Sequence, residues 1–533
     1  MDSKFDTVVL DIETDSLDAT KIHCICIQDY ATGEQRDFIQ EQGCQEFKEF
    51  HNQDRKYIMH NGVSFDGPVL ERLLDITIPL ENIIDTLLIS QMVNAHIEGG
   101  HSLKSWGKKL TRGGKLEFKD FEEYSEEMLK YCQQDVHVTR KLMQHLAPKI
   151  TRFSTESVRM EHRVRRIIDQ QERNGFYLDV NRAHDLLEEL KTKSEDLKKD
   201  LQTIFPTIYT PRFHKTTGAP LKDHVDEFNP SSRKQIAERL QKKYNWVPKK
   251  TTPTGLPVID EAVLKEIEYP EAKMIAEYLL YEKRVSQIQS WLKNVRDDSR
   301  VHGRVITLGC VTSRMSHYGP NMAQVPASYS PYGEQCRSLW TIQDPSKYCL
   351  VGSDASGLEL RCFAHYLQNP KFTEQVVDGD IHTYNQNIIG LKDRPTAKTW
   401  VYAFIYGAGD AKLGQIVGGN SEAGLESRKR FINKVKGMKT LTSNLINLLQ
   451  RRKRKYGEYQ LVALDKRILL ARSIHSSLNT LIQGAGAIIC KQWLLNIIDE
   501  VDKQNLDAKP VANVHDEVQF EVRKEQAVDF GNI

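Results

Sequence analysis

The chain has 533 residues, 39% hydrophobic and 27% charged, with 74 basic residues against 72 acidic ones. No run of 18 apolar residues occurs, which argues against a membrane span, and Met1-Asp2-Ser3-Lys4-Phe5-Asp6 lacks the basic and apolar regions of a secretory signal. Nine cysteines with no C-x-x-C pair argue against a disulfide scaffold and a structural zinc site, and fit a reducing compartment.

In chain order, Val8-Val9-Leu10-Asp11-Ile12-Glu13, Ile22–Ile27 and Tyr57-Ile58-Met59 read as strands, and Glu126–Tyr131 reads as helix. Strands first and helices after predict an α/β unit ending near residue 150. Leu186, Leu187, Leu190, Leu197 and Leu201 predict an amphipathic helix over 183–204, stopped by Pro206. Residues 206–229 read as loop. A second long helix carries Met274, Tyr278, Tyr281, Val285, Ile288 and Leu292 at alternating intervals of four and three. The two helices form either an arm-like projection or a plain helical hairpin. Further on, Tyr348–Asp354 reads as a buried strand ending in an acid, and 361–470 as mostly helical. Residues 511–522 read as a hairpin around His515-Asp516-Glu517. Basic residues bunch at Arg428, Lys429, Arg430, Lys434, Lys436 and Lys439, and again over 451–455. They form either solvated helix faces or phosphate contacts.

Two acidic sets carry the chemistry. Asp11 and Glu13 lie two apart at the end of a strand and share a face. Asp66 follows His60-Asn61-Gly62, and Asp135 follows Tyr131 by four residues, one helical turn away. Four converging carboxylates suit two hard divalent cations about 4 Å apart, the arrangement for in-line phosphodiester cleavage, with the Tyr131 hydroxyl placed to orient water. The second set is Asp354 and Asp516, one at a strand end and one at a hairpin turn. On neighbouring strands they would repel unless cations bridged them. Between them, Arg394, Lys398, Tyr402 and Tyr406 recur every fourth residue and form one helical stripe, with Pro395 suited to the first turn of the helix and Gly407 to its end. Cations near the helix start suit a triphosphate, and aromatics further along suit a base and sugar. The chain has no G-x-x-x-x-G-K-[ST], no G-x-G-x-x-G after a strand and no H-E-x-x-H.

These motifs together resemble the family A DNA polymerases with an N-terminal 3′–5′ exonuclease, and among them the replicative polymerases of T-odd short-tailed bacteriophages. The resemblance runs from Asp11 to Glu517. It implies an α/β, RNase H-like exonuclease domain over 1–150 and a connection over 151–182. An α+β right-hand polymerase follows: thumb 183–298, palm 299–360 with Asp354, fingers 361–470, and palm 471–533 with Asp516. In the exonuclease it implies Asp11, Glu13, Asp66 and Asp135 as metal ligands, with Tyr131 beside them. In the palm it implies Asp354 and Asp516 as metal ligands and Glu359 as the steric gate against a 2′-hydroxyl.

For the nucleotide it implies Arg394, Lys398 and His382 at the triphosphate, Tyr402 at the sugar and Tyr406 near the templating base. Primer-template contacts fall to Arg314, Asn321, Gln324, Gln483 and His515. The family usually has Gly where Ser313 stands. Relatives with Phe at the position of Tyr402 reject dideoxynucleotides, so efficient dideoxynucleotide incorporation is expected here. The implied cofactor is Mg2+, two ions at each centre, with Mn2+ as substitute. The implied partners are primer-template DNA, dNTPs and a helicase-primase, in the cytoplasm of the infected bacterial host, with no membrane.

Two departures from the pattern shape the expectation. The stretch 206–229 is short where the T-odd enzymes carry a thioredoxin-capturing insertion, so no thioredoxin-dependent processivity is expected. The chain reaches Ile533 soon after Asp516, so the palm is read as truncated, and a rival reading is an exonuclease and primer-template binding protein without synthesis. A single-subunit RNA polymerase shares the palm and the cationic stripe, but the exonuclease acids and Glu359 argue against it.

Overall fold

Thr7–Thr14 (β1) reads TVVLDIET, apolar and β-branched on both sides of the pleat, the composition of a strand covered on both faces. In the computed structural model, which describes residues 5–112, 114–248, 250–252 and 254–533, β1 is the centre of a five-stranded sheet. The other strands are Ile22–Asp29 (β2), Gln35–Ile39 (β3), Lys56–Met59 (β4) and Ile83–Asp85 (β5), in the order β3-β2-β1-β4-β5. β2 runs antiparallel to β1 and β3, while β4 runs parallel to β1 and β5. Both edge strands escape a reading of the sequence because β3 has one buried side chain and β5 only three residues.

One face of the sheet packs Phe38, Phe47, Tyr57 and Leu70, and the other packs Ile89, Trp106, Cys132 and Leu142. Two helices deliver acids to it, Asp66–Leu74 (α1) and Glu126–Ile150 (α2). Ser125 caps α2 by accepting from the Met128 amide at 3.1 Å.

The next helix, Thr155–Asn174 (α3), belongs to the same unit of the chain as the sheet, a unit made of residues 1–174, 304–318 and 346–533. Its Glu161 is fully buried and accepts from Lys491 Nζ through both oxygens at 2.8 Å, and from Arg467. Lys491 Nζ also donates to the Thr307 carbonyl at 2.9 Å. A buried carboxylate between two buried cations is tolerable only with every donor satisfied, so this knot fixes the relative placement of the three segments.

Residues 175–303 and 319–345 form the second unit. Val180–Ile204 (α4) and Pro270–Lys293 (α5) pack side by side in it, as a helical hairpin would. Leu201, Phe205, Phe228, Ile236, Leu240, Ile275 and Tyr278 form its core. The reading of 206–229 as loop is corrected here: Ile208–Phe213 (β6) and Pro220–Asp226 (β7) form an antiparallel hairpin. Nearly every residue of it is exposed, so the one-sided burial that normally marks a strand in sequence is missing.

In the first unit, Tyr348–Asp354 (β8), Ala508–Val514 (β9) and Glu517–Arg523 (β10) make an antiparallel sheet in the order β8-β10-β9. Between β8 and β9 the chain is mostly helical: Leu358–Leu367 (α6), Ile381–Ile389 (α7), Arg394–Ile405 (α8), Ser421–Lys434 (α9), Met438–Tyr456 (α10) and Ser477–Gln504 (α11). Leu494 and Leu495 of α11 share a core with Phe520 and Val522 of β10, while Phe363, Ile389, Trp400 and Phe431 of α6–α9 form another. The stretch 361–470 is mostly helical, with a small hairpin at its end, Gln460–Val462 against Ile468–Leu470. Trp400, Phe404 and Phe431 form an aromatic core beneath α8, with the Trp400 indole donating to Ser427 Oγ at 3.0 Å.

By length and composition α11 is apolar enough to cross a membrane. Most of its apolar side chains are instead buried inside this unit, and a Cβ on Gly484 would meet Leu469 at 2.3 Å. After β10 the chain turns into a short helix, Ala527–Gly531, that sets Phe530 against Phe520 with ring centres 4.9 Å apart.

Candidate active sites

The first centre lies on β1. Its register sets Asp11 opposite Cys26 and Glu13 opposite Cys24 on β2, so all four side chains share one face. Asp66 opens α1 and Asp135 lies on α2, and each carboxylate lies within electrostatic reach of Asp11. The sequence expectation that these four acids converge is met by the fold. Glu13, Asp66 and Asp135 are buried, at 7, 3 and 3% exposure.

Burial dominates their protonation. It pushes Glu13 up to about 9, with Asp135 adding to the effect, and Asp66 up to about 7. Asp11 is driven well above the carboxylate range by burial and then by Asp135, Glu13 and Asp66. Asp135 rises only to about 6, because the Lys115 ammonium beside it opposes burial. Asp135 Oδ1 is buried without a hydrogen-bond partner among the described residues. Four crowded oxygen donors and a buried lone pair pointing at nothing suit a hard cation.

Lys115 was not legible in the sequence. It follows two glycines on a loop, with no motif to mark it, yet its Nζ pairs with Asp135 and lies 4.5 Å from the centre of the half-buried Tyr131 ring. Burial pulls its ammonium down, but Asp135 pulls it up further, so it stays charged. Asp85 was also missed. Its carboxylate accepts from the amides of Asn61 and Val63 at 3.1 Å and of Leu87 at 2.9 Å, and so holds the loop that leads to Asp66. Gly62 in that loop is required by space: a Cβ there would meet Met59 at 2.3 Å.

The second centre lies where β8 and β10 end together. Asp354 pairs with Glu517 in the ladder, and the Ala355 amide donates to the Asp516 carbonyl at 2.9 Å. Asp354 and Asp516 are therefore neighbours across the sheet. Burial, then Asp516, Glu517 and Glu359, raise the Asp354 carboxyl above its ordinary range, though the residue is exposed. His515, at φ 60°, occupies a two-residue turn position where glycine is the usual choice. Burial and the Arg314 charge hold its imidazole below its ordinary value.

The stripe on α8 forms as its spacing predicts. Asp393 caps the helix by accepting from the Thr396 amide at 2.8 Å, and Gly407 ends it at φ 79°. Arg394 is held at 2.8 Å by Asp380, which also caps α7 at the His382 amide. Lys398 is exposed on the same face. The Tyr402 ring lies 6.2 Å from both His382 and Tyr406. Glu359 is buried and accepts from Tyr406 Oη at 2.9 Å and Arg314 at 2.7 Å, and these two hold its carboxylate below the usual range against burial. Of the other proposed DNA contacts, Gln483 sits half-buried on α11. Asn321 and Gln324 lie in the second unit, on a short turn capped by the Asn321 side chain. Ser313, beside Arg314, has φ 60°, the left-handed conformation that glycine adopts without strain, in keeping with the glycine that the resemblance leads one to expect there.

The basic runs are partly committed. Arg428 pairs with Asp410 and Arg430 with Glu426. Lys453 and Lys455 lie over the rings of Tyr459 and Tyr456 in the last turn of α10.

An RNase H-like sheet with four clustered acids, and a three-stranded palm with two more beneath a cationic helix, define an enzyme with separate nuclease and nucleotidyl-transfer centres. The profile described as 3′–5′ exonuclease matches residues 1–151, and that of DNA polymerase family A matches residues 188–533. The DNA-directed DNA polymerases of Enterobacteria phage T3 and Escherichia phage T7 are each 32% identical over an alignment of 666 positions, covering 97% of this chain and 94% of the relative. The alignment is longer than the chain, so segments of the relatives have no counterpart here. DNA polymerase I of Aquifex aeolicus is 25% identical over 90% of the chain and 81% of its own length. In fold, the chain matches the POL domain of Pol1 from M. smegmatis, solved with DNA primer-template and dNTP, at a TM-score of 0.79 and 16% identity, over 98% of this chain and 90% of that one.

The chain belongs to DNA polymerase family A. It is a DNA-directed DNA polymerase with a 3′–5′ exonuclease domain, and both activities of this family are metal-dependent.

Proposed function

We propose that the palm centre extends a DNA primer on a template and that the sheet centre trims it. The observation that supports this most directly is the pairing of β8 with β10, which sets Asp354 beside Asp516 at the open end of the palm. These two would hold the cations of synthesis, and Asp11, Glu13, Asp66 and Asp135 those of trimming. Mg2+ is the ion proposed at each centre, two per centre with Mn2+ as substitute, and it supplies charge neutralisation at the phosphate and a lowered pKa for the attacking oxygen.

The chain's own groups do the rest. Arg394, Lys398 and His382 grip the triphosphate, with Arg394 exchanging Asp380 for phosphate oxygens. Tyr402 meets the sugar and Tyr406 the templating base. Glu359, fixed by Arg314 and Tyr406, crowds the 2′ position. Arg314, Asn321, Gln324, Gln483 and His515 track the primer-template through a groove whose hydrogen-bond pattern is degenerate, which suits a reader of every sequence. Closure of α8 on the correct dNTP adds selectivity.

The setting we propose is a replisome with a helicase-primase in the cytoplasm of an infected bacterium, a reading supported by similarity to phage DNA-directed DNA polymerases. The short hairpin β6–β7 supports processivity without thioredoxin. A large thioredoxin-induced gain in product length would overturn that.

The test is a labelled primer-template with Mg2+, with and without dNTPs. Extension with dNTPs and shortening without them are expected. Shortening in both lanes would leave the trimming centre and refute synthesis by this chain.

A further inference from the structure

Behind the four acids lies a second set of metal donors that the trimming reaction does not use. Cys24 and Cys26 alternate on β2, so both sulfurs project to the face that carries Glu13 and Asp11. Cys132, on α2, is laid across them. All three are fully buried, and their sulfurs lie within 4.8 Å of one another. Cys132 Sγ is also 3.6 Å from Asp11 Oδ2, and with Asp11 and Glu13 forms a second group whose donor atoms all lie within 4.8 Å. A tetrahedral zinc with sulfur bonds of about 2.3 Å needs sulfurs roughly 3.8 Å apart, a small adjustment from this spacing. The absence of C-x-x-C hid the set in the sequence. Its signal is C-x-C on a strand, completed by a cysteine 106 residues further on.

We propose that Cys24, Cys26 and Cys132 bind a thiophilic divalent cation, Zn2+ in the cell, with the Asp11 carboxylate as fourth ligand, and that its binding switches trimming off while leaving synthesis intact. Thiolates select zinc or cadmium over magnesium, which prefers oxygen. Asp11 is half-buried where the sulfurs are fully buried, so the ion enters past Asp11. Binding releases the three thiol protons to solvent and changes no oxidation state. The bound ion takes Asp11 from the acid set, so the two uses of that carboxylate exclude each other. The switch rests on the reading of Asp11 as a trimming acid. The metal site itself does not.

The experiment has two arms on the full chain. First, Cd2+ alone is titrated into EDTA-treated, reduced protein without DNA. A thiolate-to-cadmium absorption band that saturates at about one ion per chain is expected, with affinity weakened on the order of 100-fold in Cys24→Ala and in Cys26→Ala. No band, or an equal band in both variants, overturns the site. Second, Zn2+ is added to primer shortening and primer extension in excess Mg2+. Shortening slows at least about tenfold in the wild type and resists zinc in Cys24→Ala, while extension is unchanged in both and reports correct folding. Equal zinc inhibition of Cys24→Ala overturns the switch. If the band appears but Asp11→Ala trims normally, the trimming assignment fails and the metal site stands.

Discussion

The two acidic centres are built in opposite ways. The trimming set is buried, crowded and pushed toward the protonated state, with Lys115 as its one resident countercharge among the described residues. The palm pair sits at an open strand end, and its position is set by backbone pairing. Desolvation makes the first set expensive to ionise without a cation, so its chemistry is conditional on metal. The second set takes its position from the strand ladder, and in the function proposed it is completed by a nucleotide bound along α8. One centre is organised by its interior, the other by its substrate.

The largest effect should separate the centres outright. Asp354→Ala or Asp516→Ala is expected to lower primer extension by about 4 kcal/mol of transition-state stabilisation, close to 1,000-fold, with shortening retained. Asp11→Ala combined with Glu13→Ala should do the reverse. Both rates are read from one gel. If either palm variant extends at the normal rate, the metal assignment fails. If it also loses shortening, the centres are not independent.

Lys115→Met probes the interior organisation. Removing one partner of a mostly buried pair should destabilise the exonuclease sheet by about 2–3 kcal/mol in EDTA, and Mg2+ should restore most of it. The pH dependence follows from Asp135. Burial raises its folded value to about 6, so between its ordinary value and about 6 the folded state holds more protons than the unfolded chain. Stability therefore falls as pH rises through that window. Without Lys115 the folded value rises further and the window extends to higher pH. Thermal melts over a pH series, with and without Mg2+, check this. An unchanged melting temperature in EDTA would mean that Lys115 serves some other contact.

Tyr402→Phe sharpens the substrate-organised side. The loss of one hydroxyl at the sugar should restore discrimination against dideoxynucleotides by about 2 kcal/mol, roughly 30-fold. Competition between dideoxynucleotide and deoxynucleotide incorporation reads it directly. No change would remove Tyr402 from the sugar.

What was legible in the sequence follows the same division. β1, the capped helix α8 and the hairpin at His515 are each made by local rules: alternation, a cap with Pro and Gly at the ends, and a tight polar turn. Asp11, Glu13 and Asp516 ride on those elements. Lys115, Asp85 and the three cysteines act through contacts between segments distant in the chain, and no local period marks them. β6–β7 was missed for another reason. A hairpin exposed on both faces has no hydrophobic pattern to read.

The smallest effect concerns the basic end of α10. Lys453, Arg454 and Lys455 occupy its last turn, where cations stabilise the exposed carbonyls, and two of them cover tyrosine rings. A Lys453→Gln/Lys455→Gln variant is therefore expected to lose about 0.3–1 kcal/mol of stability per charge. The dependence of DNA affinity on salt should keep its slope. Phosphate contacts would instead lower that slope by about 0.9 for each charge removed. Two such losses would move this helix end from scaffold to substrate, and would extend the surface organised by DNA from α8 to the far end of α10.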